Sequence, residues 1–379
     1  MQPANIEHTG LIFDATTAPE SERVCYFCSL IRLASGNLIA GWQNGPGKHT
    51  PNNSVRLARS HDNGTSWQPI AHRFVTSWQG VPGSLAAAEL IEPETGRLLL
   101  FTTWFDRSDP ERPLFDPETE GILRAVQLYC VSDDDGESWG DWQVMPTPGL
   151  SGCALTGPVI QWPGRLAVTF ESFKQFDEPG PTHHAAWLCI SDDGGRTFLP
   201  PWLVADDPTD RLYYWDQRLA ATDDDGGYVA LFWTHDRSAQ QDLTIHLQWA
   251  SLADGDRAAS TPVATSLPGQ IAAPAMTSDG RLLAFAVDRG QPGTMRLWQS
   301  DDRGVSWPVD ASLVIHQHEE LAAISQGHEN IDFAEYWEDM GKWSFGHPAI
   351  QPLGEDRFLL AYYAGTPDRM SVHGVRISL

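Results

Sequence analysis

The chain has 379 residues, a formal charge of −25, 16 Trp and 5 Cys. So acidic a composition disfavours nucleic acid and anionic membranes as partners, and no apolar run is long enough to cross a bilayer as a helix. An anionic small substrate is not excluded, because arginines within a cleft reverse the field locally.

In chain order, Gly10–Asp14 reads as an isolated strand. The start of the chain lacks a basic stretch followed by an apolar one, so no secretory leader is expected. Cys25 and Cys28 follow in a strand-like stretch, where positions i and i+3 point to opposite faces, which argues against a metal or redox pair. With Cys130, Cys153 and Cys189 they form an odd, scattered set, expected to be reduced, buried thiols of a cytoplasmic protein.

Strand–turn–strand units then recur six times. Their turns are Ser35-Gly36-Asn37, Thr95-Gly96-Arg97, Pro163-Gly164-Arg165, Asp225-Gly226-Gly227, Asp279-Gly280-Arg281 and Glu355-Asp356-Arg357. Each unit continues into a third strand that ends in serine, at Ser60, Ser132, Ser191, Ser251, Ser300 and Ser378. Four of these serines open one signature, Ser-x-Asp-x-Gly-x-(Ser/Thr)-(Trp/Phe). It runs from Ser60 to Trp67, Ser132 to Trp139, Ser191 to Phe198 and Ser300 to Trp307. The aspartate can bond turn amides, glycine allows positive φ, and the aromatic packs under the next strand. After Ser251 the signature has decayed to Leu252-Ala253-Asp254-Gly255. The segments 107–121, 205–211 and 316–343 lack strand character and read as insertions. Asn330–Trp337 in the last has the look of a short helix.

Four copies of such a signature indicate repeated β-sheet units. The pattern resembles the Asp-box, or BNR, repeat of the sialidase-like (neuraminidase superfamily) β-propellers over most of the chain. The resemblance implies an all-β propeller. Six hairpins predict six four-stranded antiparallel blades in a single domain, residues 1–379. The sixth unit has three strands, and an open sheet edge is a liability. Residues 1–15 are therefore expected to supply the missing strand and close the ring.

The resemblance further implies that the signature turns lie opposite the active site and that their aspartates are structural. The functional mouth then gathers the starts of the first strands and the ends of the second strands of each unit. A histidine and carboxylates suit acid–base chemistry on a glycosidic bond. The catalytic candidates there are His347, Asp216, Glu171 and His235, and the substrate-binding candidates include Tyr26, Trp42, Gln43 and Tyr363. Asp-Arg pairs follow four second strands, and Arg107, Arg237 and Arg289 from three of them are candidates to hold an anionic group. Two family positions depart. Tyr26 stands where sialidases carry a substrate-gripping arginine, and His347 falls, within about one residue, where they carry the nucleophilic tyrosine.

The expectation is a carbohydrate-active enzyme, an exo-acting glycoside hydrolase taking an acidic oligosaccharide or glycoconjugate. A uronate lyase and a non-catalytic glycan- or protein-binding propeller are the alternatives. No cofactor or metal is expected. There is no phosphate-binding or dinucleotide loop and no nucleophile elbow, and His316-x-His318-Glu319-Glu320 has no second ligand pair.

Overall fold

The computed structural model describes residues 4–254, 261–290, 292–318 and 340–379. The helix expected at Asn330–Trp337, and Glu319 and Glu320, lie outside the described residues. Strand β1 (Asn5–Phe13) precedes six groups of strands. The first comprises β2 (Val24–Arg32), β3 (Leu38–Gly45), β4 (Ser54–Ser60) and β5 (Gln68–Pro69). The second comprises β6 (Gly83–Glu94), β7 (Arg97–Asp106), β8 (Ala125–Ser132) and β9 (Gln143–Val144). The third comprises β10 (Gly152–Trp162), β11 (Arg165–Phe173), β12 (Ala185–Ser191) and β13 (Trp202–Asp206). The fourth comprises β14 (Leu212–Ala221), β15 (Gly227–Asp236), β16 (Gln241–Asp242), β17 (His246–Ser251) and β18 (Val263–Ala264). The fifth comprises β19 (Ala272–Met276), β20 (Leu282–Asp288), β21 (Gly293–Ser300) and β22 (Leu313–His318). The last holds β23 (Phe345–Gly354), β24 (Arg357–Thr366) and β25 (Arg369–Ser378).

Within each group the strands pair antiparallel in sequence order, with β16 pairing aside onto β15. The turns between first and second strands fall where the Gly, Asn and Asp dipeptides place them. In the last group β1 takes the fourth position. It runs antiparallel to β25, from Asn5 opposite Ser378 to Phe13 opposite Val372. One parallel bridge, Val24 to Met370, joins the last group to the first.

The apolar core lies between neighbouring groups rather than in one central mass. Ile39, Val55 and Leu57 of the first meet Leu85, Leu98 and Leu128 of the second. Similar layers follow along the chain, and a final one sets Ala361, Met370 and Val372 against Val24, Trp42 and Ala58 of the first group. Both faces of most inner strands are thus covered, which is why they read as continuous apolar runs. All five cysteines are free and buried, as their scatter suggests.

The four signature turns share one bonding pattern. In the first, Ser66 donates its amide and hydroxyl to Asp62 at 2.8 and 2.7 Å, and the Gly64 amide donates to Ser60 Oγ at 2.8 Å. The Trp67 indole closes the turn onto the Gly64 carbonyl at 3.2 Å. Asp134, Asp193 and Asp302 repeat the two bonds from the following Ser or Thr.

Candidate active site

The first strands carry a recurrent irregularity. Between Tyr26 and Ser29, Ala86 and Glu89, Trp215 and Arg218, and Gly346 and Ala349, two residues face one on the partner strand. In β10 three residues, Thr156 to Pro158, face one. The residue that opens each of the four two-residue bulges has positive φ: Phe27 (51°), Ala87 (66°), Asp216 (46°) and His347 (54°). Such a φ is uncommon for a residue with a Cβ, and bulges re-aim side chains. The four belong to the first strands β2, β6, β14 and β23.

Two of these residues, Phe27 and Asp216, line a cavity of ≈70 Å³. Glu171, from the end of β11, lines it too. Trp215, Trp233 and Phe173 supply much of the apolar wall. The cavity lies at the ends of the strands opposite the signature turns, as the resemblance implies.

Glu171 is 2% exposed. Burial, then the neighbouring charge of Asp216, pushes its carboxyl well above the usual range. Burial raises Asp216 as well, opposed by the positive charges of Arg218 and Arg289. Arg218 Nη2 lies 3.5 Å from Asp216 Oδ1. The two carboxyls therefore differ: Glu171 is the group biased to hold a proton, and Asp216 the one held against two cations.

His347 does not line this cavity. Its Nε2 lies 2.5 Å from Arg218 Nη2, and its ring meets Phe27 edge-on at 4.7 Å. Burial and the adjacent guanidinium hold it well below the ordinary histidine range, so it is neutral and accepts from Arg218. The expected acid–base histidine is thus one layer behind the wall, bracing the arginine that faces Asp216. His235 is also behind the wall. It stacks on Trp215 at 5.0 Å and its Nδ1 is 3.0 Å from Asp242.

The expected binding residues are displaced in the same way. The Tyr26 hydroxyl accepts from the His49 amide at 2.8 Å and from Asn53 Nδ2 at 2.5 Å, beneath the cavity. Trp42 packs on Phe13 of β1 at 5.2 Å, and Gln43 is buried opposite Tyr26. Lys48 Nζ donates to the Tyr363 hydroxyl at 2.9 Å. None of these lines the cavity.

Nor do the three arginines. Arg107 donates to Ser84 Oγ at 2.9 Å and to the His49 and Arg112 carbonyls at 2.9 and 3.3 Å. Arg237 is 2.9 Å from Glu120 and lies over the Tyr213 ring. Arg289, 1% exposed, lies 4.0 Å from the Trp343 ring and donates to the Phe345 carbonyl at 3.2 Å. The aspartates of these Asp-Arg pairs do not neutralise their own arginines. Asp106, Asp236 and Asp288 accept amides of the loops that follow.

Sequence reasoning missed several groups here. His49 lines the cavity, its imidazole kept neutral by burial. His184, just ahead of the third strand β12, places Nε2 3.8 Å from Glu171 Oε2. Arg218 and Glu89 line a second cavity of ≈360 Å³, walled by the first strands of all six groups. Glu89 was legible as the lone carboxyl in the run Leu85-Ala86-Ala87-Ala88-Glu89-Leu90. At the other candidate cluster, His316 Nε2 is 3.2 Å from His318 Nδ1, and His318 Nε2 is 2.8 Å from Ser344 Oγ.

No family model matches the chain, and no curated protein does. Solved structures do. A protein of unknown function from Dyadobacter fermentans is similar over 100% of both chains, with 16% identity and a TM-score of 0.71. An α-L-arabinanase of Penicillium chrysogenum, complexed with arabinobiose, covers 98% of both chains at 15% identity and TM-score 0.61. The intramolecular trans-sialidase of Ruminococcus gnavus covers 99% of this chain and 97% of its own, at 13% identity and TM-score 0.62. At these identities the likeness concerns the fold alone, and the chain has the sialidase-like propeller fold.

Proposed function

We propose that the chain is a glycoside hydrolase built on a six-bladed propeller, one domain over residues 1–379. Two observations support the architecture. The axial cavity is walled by six first strands, and β1 completes the last group so that it packs on the first. The Glu171–Asp216 pair, one buried and one half-buried carboxyl of unlike environment on one aromatic wall, carries the functional reading. Glu171 donates a proton to the leaving oxygen. Asp216, steadied by Arg218, is the carboxylate that acts on the anomeric side, as base or nucleophile. A cavity this compact suits exo cleavage, taking one terminal sugar at a time. Structural neighbours that are an arabinanase and a trans-sialidase by name support glycoside chemistry on this fold. The lyase alternative needs a cation to neutralise a uronate carboxylate, and among the described residues the wall offers none.

The test is turnover of a panel of glycosides by E171Q and D216N. Each variant should lose about 10²–10⁴-fold in kcat, while melting stays close to that of the parent. A product mass that includes water identifies hydrolysis. Parent-like turnover by both variants would overturn the assignment.

A further inference from the structure

Among the described residues, the ionisable side chains on the cavity wall are two carboxyls and His49, which burial and nearby cations keep neutral. No arginine or lysine among the described residues belongs to that wall. Each cation nearby already has other work. Arg107 is spent on a hydroxyl and two carbonyls, and Arg237 on Glu120. Arg218 divides itself between Asp216 and His347. Lys48 donates to Tyr363 and to the Met340 carbonyl at 3.1 Å. Arg289 is the exception, because its Nε and Nη1 have no acceptor among the described residues. It is nevertheless 1% exposed, covered by the Trp343 ring, and absent from the cavity wall.

A sugar carboxylate placed here would meet Asp216, whose charge Arg218 already offsets, and no further cation on the described wall, in a setting that water screens poorly. The aromatic rings around the pair instead offer faces for sugar C–H groups. We infer that this cavity takes a neutral sugar, not a uronate or a sialic-type acid. The inference rests on the hydrolase reading only in taking the ligand to be a sugar. It makes the arginine-gripped acidic substrate expected from the fold's relatives the wrong substrate for this chain.

The experiment is binding of matched pairs by saturation-transfer NMR to the full chain. The pairs are methyl glucoside with methyl glucuronide and methyl galactoside with methyl galacturonide, with sialic acid and methyl arabinofuranoside added. At least one neutral sugar should bind roughly tenfold or more tighter than every acidic one, the scale of one unscreened charge contact. The preference should survive Arg289→Met. Acidic sugars binding as well as neutral ones, or no neutral sugar binding at all, overturns the inference. So does acidic binding that disappears in Arg289→Met, since the guanidinium would then reach the ligand. Neutral sugars that bind and are never cleaved leave the inference standing and defeat the hydrolase reading instead.

Discussion

Asp216 shows how much the site depends on single residues. Its φ of 46° costs about 1–3 kcal/mol for a residue with a Cβ, a strain that surrounding structure must hold in place. Arg218 and, behind it, His347 supply that support. Glu89, on the other side of Arg218, has no such compensation. Burial raises its carboxyl to about 8 from 4.5, with Arg218 opposing the shift. The folded state therefore keeps this proton over a range where the unfolded chain releases it. Stability contributed at this position falls as pH rises from about 4.5 to about 8. E89Q should melt with the parent near pH 4.5 and progressively above it towards pH 8, by differential scanning calorimetry. A melting difference that does not change with pH would sink this account.

At the scale of elements, the turns were legible and the bulges were not. Gly, Asn and Asp dipeptides mark the hairpins because only certain residues fit the required φ. The signature aspartates were likewise readable as structural. Each accepts an amide and a hydroxyl in a tight turn, which holds Asp62, Asp134 and Asp302 down at about 2. Asp134→Ala should cost about 1 kcal/mol, modest because the turn is exposed, and leave turnover per folded molecule unchanged. Lost turnover at parent stability would count against a structural role. A bulge, by contrast, adds a residue without any compositional mark. Its place at the start of the first strand put Tyr26 at the mouth, whereas the bulge residue Phe27 lines the cavity and Tyr26 accepts from the His49 amide. His347 is a bulge residue as Asp216 is, yet only Asp216 reaches the wall, because the His347 ring turns onto Arg218 and Phe27.

For the whole molecule, the fold class followed from six hairpins and four signatures, because a repeat multiplies a weak local signal. The placement of the arginines did not follow, because it depends on which way each one turns after its loop. The pairing of β1 with β25 was foreseen from a missing fourth strand, and it has an energetic consequence. Deleting residues 1–13 removes Trp42's partner Phe13 and the whole ladder from Asn5 to Phe13. The melting temperature of the truncated chain should fall sharply, and the exposed edge of β25 should drive association at higher concentration. Unchanged melting and a monomeric elution profile would refute the closure.

The same pairing constrains how the protein is made. Asn5 leaves the ribosome hundreds of residues before Ser378, which it must meet. During that interval β1 has no partner, and neither do the faces of Val24 and Trp42 that later cover Met370 and Val372. Early groups can assemble against one another as they emerge, but the seam between beginning and end waits for translation to reach β25. A slow stretch of synthesis before that point prolongs the exposure of an unpaired strand edge and of the apolar faces of Val24 and Trp42. Chaperone occupancy on nascent chains should accordingly persist until the seam closes.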